Sequence, residues 1–445
     1  MQRIVVHNFG PLRDVDIKIN DFTILIGEQA SGKSTLAKLI YFFRTLKDDI
    51  LLEADKLDGN ANVTNIAKDL IINKLQNKFA LYFGFSSGFD LDFNIKFYFE
   101  DNGNNSKFIE LLRNPSLKIR FGQQNTFFNE IVASVLRFKN SRDSQRIRAG
   151  SGLLSLFDTL RSDLNRLFDD NYKPFYLPAG RNITVSYGEQ IDKVFYGEIT
   201  KMLPTEQSIN AKIDLFLMQE FIEECTRFRT RFNNRTFADL SSDKSNLSAI
   251  GDKTNEILKG TYRNTNGTEE IIIAGRLHPV PLSQASTGQQ ESIRILQDIF
   301  LSIADDLPTF KIIEEPEAHL YPKAQKHIVE VLSLSLQNRQ SQILITTHSP
   351  YILSVCNNLL YARRITNRFG HLNESINNVI DEQFWLDPDR FAAFALQDGC
   401  AESIFNTNTG LIRQNYLDQI FAEMGLEYRR MHSFYAEQIM NTQNV

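Results

Sequence analysis

A glycine-containing loop near residue 30 most constrains what this chain can fold into. The loop follows the pattern G-x-x-x-x-G-K-S and consists of Gly27, Glu28, Gln29, Ala30, Ser31, Gly32, Lys33 and Ser34. The apolar run at 22–26 before it is typical of a buried strand, and the apolar stretch at 35–43 after it is typical of a buried helix. Strand, glycine loop and helix in this order present backbone N–H groups to phosphate. The chain therefore predicts a nucleotide-binding α/β domain.

The residue types of this loop predict how ATP and Mg²⁺ would be held. Lys33 would contact the β- and γ-phosphates, and the Ser34 hydroxyl would ligate Mg²⁺. The backbone from Gly27 to Thr35 would surround the phosphates, because the helix N-terminus favours negative charge. A chance match in a glycine-containing turn is the ordinary alternative, and the flanking strand and helix argue against it.

Two adjacent carboxylates follow a second apolar run far downstream. The run at 310–313 is typical of a buried strand, and it leads directly into Glu314, Glu315 and Pro316. Glu314 would hold the Mg²⁺ shell through water, and Glu315 would orient or deprotonate the attacking water. Glutamate before proline also commonly opens a helix, and that alternative does not exclude the metal role.

A histidine ends a third apolar run. The stretch at 342–347 has the Ile and Thr content of a core strand, and His348 follows it at once. A histidine there can hydrogen-bond a γ-phosphate or a lytic water. A lone histidine is more often structural, but its place after two other nucleotide-site strands favours the functional interpretation.

A second anion-binding turn precedes the paired carboxylates. The turn contains Ser286 and Gly288 and runs through Gln289 into a helix that the apolar spacing predicts from 290 to about 303. A serine hydroxyl and glycine N–H groups at a helix N-terminus suit phosphate, whereas the ordinary alternative is a simple serine N-cap. Two such sites in one chain suggest that each nucleotide lies between two subunits, which predicts a homodimer or a higher even-numbered oligomer.

The order of these motifs resembles that of the ABC-type ATPases of the RecF, SMC and OLD group. The resemblance is closest to standalone ATPase subunits of bacterial antiphage defence, of the PtuA-like and AriA-like kinds. It is carried strongly by residues 1–50, which include the segment 3–11, and by 280–360, and weakly by the middle of the chain, which includes the segment 175–181. It implies an α/β P-loop NTPase of the ABC-ATPase head type, which dimerises on ATP and controls a separate nuclease or toxin effector.

The chain departs from the pattern of that group at three places. Glu314 stands where an aspartate is usual, the turn around Ser286 lacks the usual Leu-Ser-Gly-Gly, and Gly10 stands where arginine is common. The longer Glu314 side chain still reaches a metal shell, so the departures predict slow, regulatory hydrolysis.

Composition limits the partners and the compartment. The formal net charge is −5, which argues against a generally basic nucleic-acid binder and leaves room for a local basic patch. Three widely spaced cysteines form no zinc or disulfide pattern, which suits a reducing cytoplasm. Neither a signal peptide nor an apolar run of membrane-spanning length is expected, so a cytoplasmic protein without a membrane contact is predicted.

The chain divides into a split core and an insertion. We predict the ATPase core at 1–50 and 280–380, a β-rich then helical insertion at 51–279, and a helical tail at 381–445. Another strand or two are expected in 360–445 before a helix at about 414–424. Strands are expected at 81–85, 89–99 and 117–121, and helices at 151–170 and 206–232. No sustained heptads occur, so a long coiled coil is not expected.

Two basic clusters make the insertion a candidate for nucleic-acid contact. The first contains Arg137, Lys139, Arg142, Arg146 and Arg148, and the second contains Arg227, Arg229, Arg231 and Arg235 with Phe228 and Phe232. Arginines between aromatics suit a phosphate backbone and stacked bases. The ordinary alternative is a solvated helix face paired with acids such as Glu223 and Glu224, and it is slightly favoured for each cluster alone.

Three functions remain open at this point. The leading hypothesis is the sensor or regulatory ATPase of an antiphage defence system. The alternatives are a RecF-like DNA repair or recombination ATPase and a non-hydrolysing ATP-dependent interaction module. The tail after His348 is expected to be too short for the nuclease domain that OLD nucleases carry, so a separate protein would cut nucleic acid.

Overall fold

The fold is known from a computed structural model. It describes residues 2–55, 63–83, 92–113, 116–122, 125–146, 153–186, 212–241, 245–337 and 341–413, together with Met431. The statements below concern these residues. Arg148, the stretch 206–211 and the helix expected after residue 413 lie outside them.

Eleven strands form one mixed sheet. Its order is β6-β5-β4-β1-β2-β14-β13-β3-β12-β11-β7. The strands are β1 (Arg3–Phe9), β2 (Leu12–Lys18), β3 (Phe22–Ile26), β4 (Phe93–Glu100), β5 (Lys107–Arg113), β6 (Leu117–Phe121), β7 (Lys173–Leu177), β11 (Thr309–Glu314), β12 (Ser341–Thr347), β13 (Phe391–Gln397) and β14 (Cys400–Ser403). The five strands from β13 to β7 run parallel, whereas β1, β2, β4, β5 and β6 form an antiparallel meander.

Helices cover both faces of the sheet and enclose two apolar cores. The helices are α1 (Lys33–Arg44), α2 (Leu46–Asp55), α3 (Val63–Phe83), α4 (Thr126–Arg146), α5 (Leu153–Leu167), α6 (Ile183–Ser186), α7 (Lys212–Arg231), α8 (Phe237–Leu240), α9 (Ser245–Leu258), α10 (Thr287–Ala304), α11 (Pro322–Leu336), α12 (Pro350–Arg368) and α13 (Asn373–Asn377). Helices α1 to α5 pack on one face and α9 to α12 on the other. The central parallel strands are buried along their whole length and mostly apolar, as is typical of strands covered on both faces.

Small strands complete the structure. A three-stranded antiparallel sheet consists of β8 (Thr261–Thr265), β9 (Thr268–Ile272) and β10 (Val280–Pro281), and a two-stranded one of β15 (Phe405–Asn406) and β16 (Leu411–Ile412). The first sits beside α10, because the Arg294 guanidinium donates two 2.7 Å hydrogen bonds to the Glu269 carboxylate.

The parallel strands bring the predicted motifs to one edge. β3 ends at the glycine loop, β11 ends at Glu314, and β12 ends one residue before His348. Because carboxyl ends of neighbouring parallel strands share an edge, these segments become neighbours. The α/β class with a mixed insertion is confirmed, and the longest described helices, α3 and α4, have 21 residues each, far short of a coiled-coil arm.

The structure corrects one secondary-structure prediction and confirms another. The strand predicted at 81–85 is wrong for 81–83, which end α3, because Phe79, Tyr82 and Phe83 recur at helical spacing and are all buried. The strands expected in 360–445 are found, and one of them, β13, pairs with β3 in the centre of the sheet, inside the range 381–445 that the domain division gives to a helical tail. β13 is a run of apolar residues buried on both faces, which is typical of a parallel strand.

Within the range 51–279, strands β4 to β7 join the core sheet, whereas β8 and β9 belong to the small three-stranded sheet. Strand β4 pairs antiparallel with β1, so the insertion extends the core sheet, and helices α2 and α3 precede its strands. The predicted division of the chain into core, insertion and tail stays a prediction. Within the described ranges, no helix combines the length and the apolar character that a bilayer crossing needs.

Candidate functional site

The glycine loop is folded as a phosphate cradle. Ala30 and Gly32 have positive φ angles of 64° and 98°, and α1 begins at Lys33. A Cβ atom on Gly27 would lie 2.3 Å from the carbonyl oxygen of Leu396, so β13 leaves room only for glycine there. Residues Glu28, Gln29, Ala30 and Ser34 are exposed, whereas Gly32 and Lys33 are buried.

The Lys33 ammonium group points back into this loop. It donates hydrogen bonds of 2.7 Å and 2.6 Å to the carbonyl oxygens of Gly27 and Glu28. Burial lowers the pKa of Lys33, and the negative charges of Glu315 and Glu317 oppose that shift. The ammonium is therefore held at the centre of the cradle, where a phosphate would compete with the loop carbonyls for it.

Glu314 lies on the α1 face of the sheet and is fixed by two donors. Its Oε1 accepts a 2.8 Å bond from the Tyr176 hydroxyl, and its Oε2 accepts a 3.0 Å bond from the backbone N–H of Ala179. Burial and the neighbouring carboxylate raise the pKa of Tyr176 well above its usual value, so the phenol stays protonated as a donor. Both carboxylate oxygens keep a lone pair, which suits an Mg²⁺ shell contacted through water.

Glu315 has an unusual backbone conformation. Its φ of 43° is in the left-handed region, which a glutamate rarely adopts. Its N–H donates to the Thr346 carbonyl at 2.8 Å, which ties the end of β11 to β12. The Glu315 side chain is 39% exposed, and its Oε1 lies 3.6 Å from Nδ1 of His348. The two residues predicted to handle water and γ-phosphate therefore face each other at an open surface.

Glu317 holds the segment that carries His348. Its Oε1 accepts hydrogen bonds from the Thr347 hydroxyl at 2.5 Å and from the His348 N–H at 3.0 Å. Its Oε2 is buried and has no hydrogen-bond partner within the described part of the chain. A buried carboxylate that fixes the histidine backbone positions the imidazole, which is itself 58% exposed.

Arg181 connects three segments of the site. Its guanidinium donates to the carbonyl oxygens of Pro178 at 2.8 Å, Glu314 at 2.6 Å and Glu315 at 3.0 Å. It also pairs with Glu291 of α10, with 3.3 Å between Nε and Oε2. Arg181 is fully buried, and burial lowers its pKa while these carboxylates oppose the shift. Helix α10 is thereby joined to the strained backbone of Glu315.

Replacing Arg181 with methionine should strongly destabilise the protein. The change leaves the Glu291 carboxylate buried without its charge partner, and breaking such a pair costs about 3–5 kcal/mol of unfolding free energy. Chemical denaturation would measure the loss. Arg231→Ala is the matched control, because Arg231 pairs with Asp305 at a half-exposed surface and should cost at most about 1 kcal/mol. Equal losses for the two variants would contradict the connecting role of Arg181.

The turn at Ser286 is an N-cap that also stays accessible. The Ser286 side chain accepts from the Gln289 N–H, and the Gln289 side chain accepts from the Ser286 N–H, which is a capping box. Ser286 is exposed. Gly288 is buried, and a Cβ atom there would lie 2.5 Å from the His319 carbonyl oxygen of the same chain. Close packing therefore explains why position 288 is a glycine, and the phosphate contact predicted for Ser286 and Gly288 stays a prediction.

The basic clusters of the insertion are mostly paired or buried. Arg137 pairs with Asp163, and Lys139 and Arg142 are buried. Arg227 and Arg231 pair with Asp305, and Arg229 pairs with Glu269. Phe228 and Phe232 belong to the apolar core, so their rings are closed to bases. Arg137, Arg227, Arg229 and Arg231 thus follow the paired arrangement that the sequence analysis gave as the alternative, and nucleic-acid contact through the insertion stays a prediction.

The structure brings Lys33, Glu315 and His348 into one site, as the sequence predicts. The structure also places Tyr176, Arg181, Glu291 and Glu317 in the site. The sequence does not predict a role for these four residues there. Two signals could have indicated them: the Leu-Pro-Ala-Gly-Arg run that follows the strand β7, and a third carboxylate two residues after Glu315. The predicted roles of the site residues stay predictions, because they concern bound nucleotide.

Comparisons with known proteins agree with a nucleotide-binding site. A family profile described as an AAA ATPase domain matches residues 1–353. An OLD nuclease of Thermus scotoductus (strain ATCC 700910 / SA-01) is 23% identical over 450 residues, covering 95% of this chain and 73% of that protein.

Remote structural likenesses are to SMC heads. An SMC head bound to the C-terminal winged-helix domain of ScpA has a TM-score of 0.38 at 14% identity, over 90% of this chain and 96% of that one. The SMC head domain from Thermotoga maritima has a TM-score of 0.35 at 13% identity, over 90% of this chain and 97% of that one.

Proposed function

The chain belongs to the AAA ATPase domain family, and we propose that it binds ATP with Mg²⁺ and hydrolyses it slowly between two copies of itself. One observation carries the proposal. The side chains predicted to meet the γ-phosphate, Glu315 and His348, are 39% and 58% exposed beside a folded phosphate cradle. Catalysis on ATP needs a site that excludes bulk water, so a second surface has to cover them.

The donor set suits ATP with Mg²⁺. Lys33 would neutralise the phosphates, while Ser34 and the Glu314 carboxylate would hold the metal shell with hard oxygen ligands. Mg²⁺ would supply charge neutralisation on the phosphate oxygens when bound. Glu315 would hold the attacking water, and Glu317 would keep the His348 backbone in place. The Glu314-Glu315 pair, with glutamate where aspartate is usual, supports slow turnover.

A second copy of this chain is the proposed cover. Ser286 is exposed at the N-terminus of α10, so it can meet a phosphate that another subunit holds. Closing the dimer would then link nucleotide state to the position of α10, which Arg181 connects to Glu315. Such a dimer converts ATP binding into a change of shape, as nucleotide switches do.

Mixing two inactive variants should restore turnover. Lys33→Ala and Ser286→Arg each damage every site of their own homodimer. In a mixed dimer one site carries both lesions and the other carries neither. At equal ratio we expect about one quarter of wild-type turnover, because half of the dimers are mixed and each holds one intact site. ATP turnover against mixing ratio is the measurement.

Two further measurements make the mixing result decisive. Ser286→Ala removes the N-cap, which costs about 1 kcal/mol, together with the hydroxyl proposed to meet phosphate, so thermal unfolding of both variants, and not their turnover, shows how much of the Ser286→Arg loss is a stability effect. A cysteine at position 286 should crosslink to one in the glycine loop of another subunit once exposed Cys400 is replaced. Mixed dimers that form but show neither activity nor this crosslink would contradict the proposal that two subunits share each site.

We also propose that the switch controls a separate effector in a bacterial antiphage defence system. The support is the resemblance of the motif order to the ATPase subunits of such systems, which is an argument by analogy. Phage plaque counts would test it in cells that express this chain with its neighbouring gene. Protection that survives Lys33→Ala would contradict the proposal, and ATP-dependent DNA binding without any partner would favour the RecF-like repair role.

A further inference from the structure

The outer face of α12 carries arginines without carboxylate partners. Arg363, Arg364 and Arg368 lie in the last two turns of α12, and the helix has no acidic residue along its length. Among the residues that the structure describes, none forms an ion pair with these three guanidinium groups. Arg227 and Arg231 differ, because both pair with Asp305. The positive charge on α12 is therefore available to a partner.

The closely spaced positive charges on α12 repel each other, which lowers the stability of the helix, and the helix dipole offsets this repulsion only in part. Arg364 and Arg368 are four residues apart, so they lie one above the other on the helix and repel each other. The negative end of the helix dipole favours a cation in the last turn, which explains Arg368. It acts more weakly on Arg364, one turn earlier. A row of phosphates would neutralise the whole group.

Exposed aromatic rings flank the same arginines. Tyr361 is 52% exposed and Phe369 is 44% exposed. Tyr361, Arg364 and Arg368 recur at the i, i+3, i+7 spacing of one helix face. The Arg368 guanidinium lies 5.3 Å from the centre of the Phe369 ring. The two rings thus flank the two guanidinium groups over a length of about 12 Å, given 1.5 Å per helical residue.

We propose that this surface, formed by Tyr361, Arg364, Arg368 and Phe369 and here called the arginine face, binds single-stranded nucleic acid. The guanidinium groups contact phosphates, and the exposed rings stack on unpaired bases. Single strands are favoured over duplex because stacking on a side chain needs a base that is free of its own stack. The arginine face lies on the helix that begins two residues after His348, so a strand bound there contacts the same element that follows the γ-phosphate residue.

A binding assay with charge-matched variants tests the proposal. The probe is a fluorescein-labelled oligothymidine of about 20 nucleotides, titrated without ATP at several salt concentrations and read by fluorescence anisotropy. The double variant Arg364→Ala/Arg368→Ala should bind at least about tenfold more weakly, with a salt slope lower by about 1.4, since each lost single-strand phosphate contact removes about 0.7. The control Arg227→Ala/Arg231→Ala removes the same net charge and should stay within about threefold of wild type.

Variants of the two aromatic rings give a second test, because a purely electrostatic interaction would not depend on these rings. The double variant Tyr361→Ala/Phe369→Ala should weaken binding by at least about fivefold with an unchanged salt slope, because stacking releases no counterions. Thermal unfolding and ATP binding of each variant show that the fold is intact. No binding by wild type, equal losses in the control, equal affinity for a blunt duplex, or equal affinity for polyglutamate would each overturn the proposal. The last result would assign the surface to an acidic protein.

Discussion

Lys33→Ala is expected to abolish ATP binding. Lys33 supplies the ammonium group at the centre of the glycine loop, where it is buried and held by the carbonyl oxygens of Gly27 and Glu28. Hydrogen bonds to charged groups contribute about 1.5–3 kcal/mol each, and contacts to two phosphates would be lost, so affinity should fall at least about 100-fold. Isothermal titration of ATP in the presence of Mg²⁺ is the measurement.

Lys38→Ala is the matched control for this loss. Lys38 lies on the same helix α1 but pairs with Asp214 of α7, 2.5 Å away. Removing a pair with one exposed partner costs at most about 1 kcal/mol of unfolding free energy and leaves the phosphate cradle unchanged. ATP affinity of Lys33→Ala equal to that of Lys38→Ala would reject the phosphate role of the loop.

The parts of the site that the sequence predicts are those that one short segment specifies by itself. The glycine loop is contiguous from Gly27 to Ser34, and its neighbours read as a strand and a helix without any tertiary information. The strand ends at Glu314 and at Thr347 are equally local. Parallel pairing then places these ends at one edge, which follows from the general rule for α/β sheets.

The parts that the sequence misses depend on contacts between distant segments. Arg181 meets Glu291 and Glu314 across more than 100 residues, and no local pattern shows that its guanidinium donates four hydrogen bonds to carbonyl oxygens. Glu317 fixes His348 across 31 residues for the same reason. Gly288 looks like a phosphate contact in sequence, but a neighbouring backbone in the same chain also requires glycine there.

The secondary-structure error at 81–83 has a related cause. Phe79, Tyr82 and Phe83 form an aromatic cluster with Phe42 of α1, and an apolar cluster of this size looks similar in a helix and in a short strand. β13 is separated by more than 360 residues from β3, its parallel neighbour in the sheet. Its carbonyl at Leu396 restricts the glycine loop, so the far end of the chain shapes the predicted phosphate site.

Glu315→Gln is expected to separate ATP binding from hydrolysis. The amide keeps the shape of the side chain but cannot accept a proton from the attacking water. General-base catalysis contributes about 10²–10⁴-fold, so turnover should fall by at least about 100-fold while ATP still binds. Because the γ-phosphate then persists, the ATP-bound dimer should accumulate, and size-exclusion chromatography with light scattering would detect it. Phosphate release under saturating ATP measures the turnover.

Glu317→Gln is the comparison that identifies which carboxylate handles water. Oε1 of Glu317 accepts two hydrogen bonds from the Thr347–His348 segment, and a glutamine carbonyl can accept both. Its NH₂ group would take the place of Oε2, which has no hydrogen-bond partner among the described residues. This variant should therefore keep His348 in position and lose less turnover than Glu315→Gln. If Glu317→Gln instead shows the larger loss and traps the dimer, the water is held by Glu317, and Glu315 serves only to shape the end of β11.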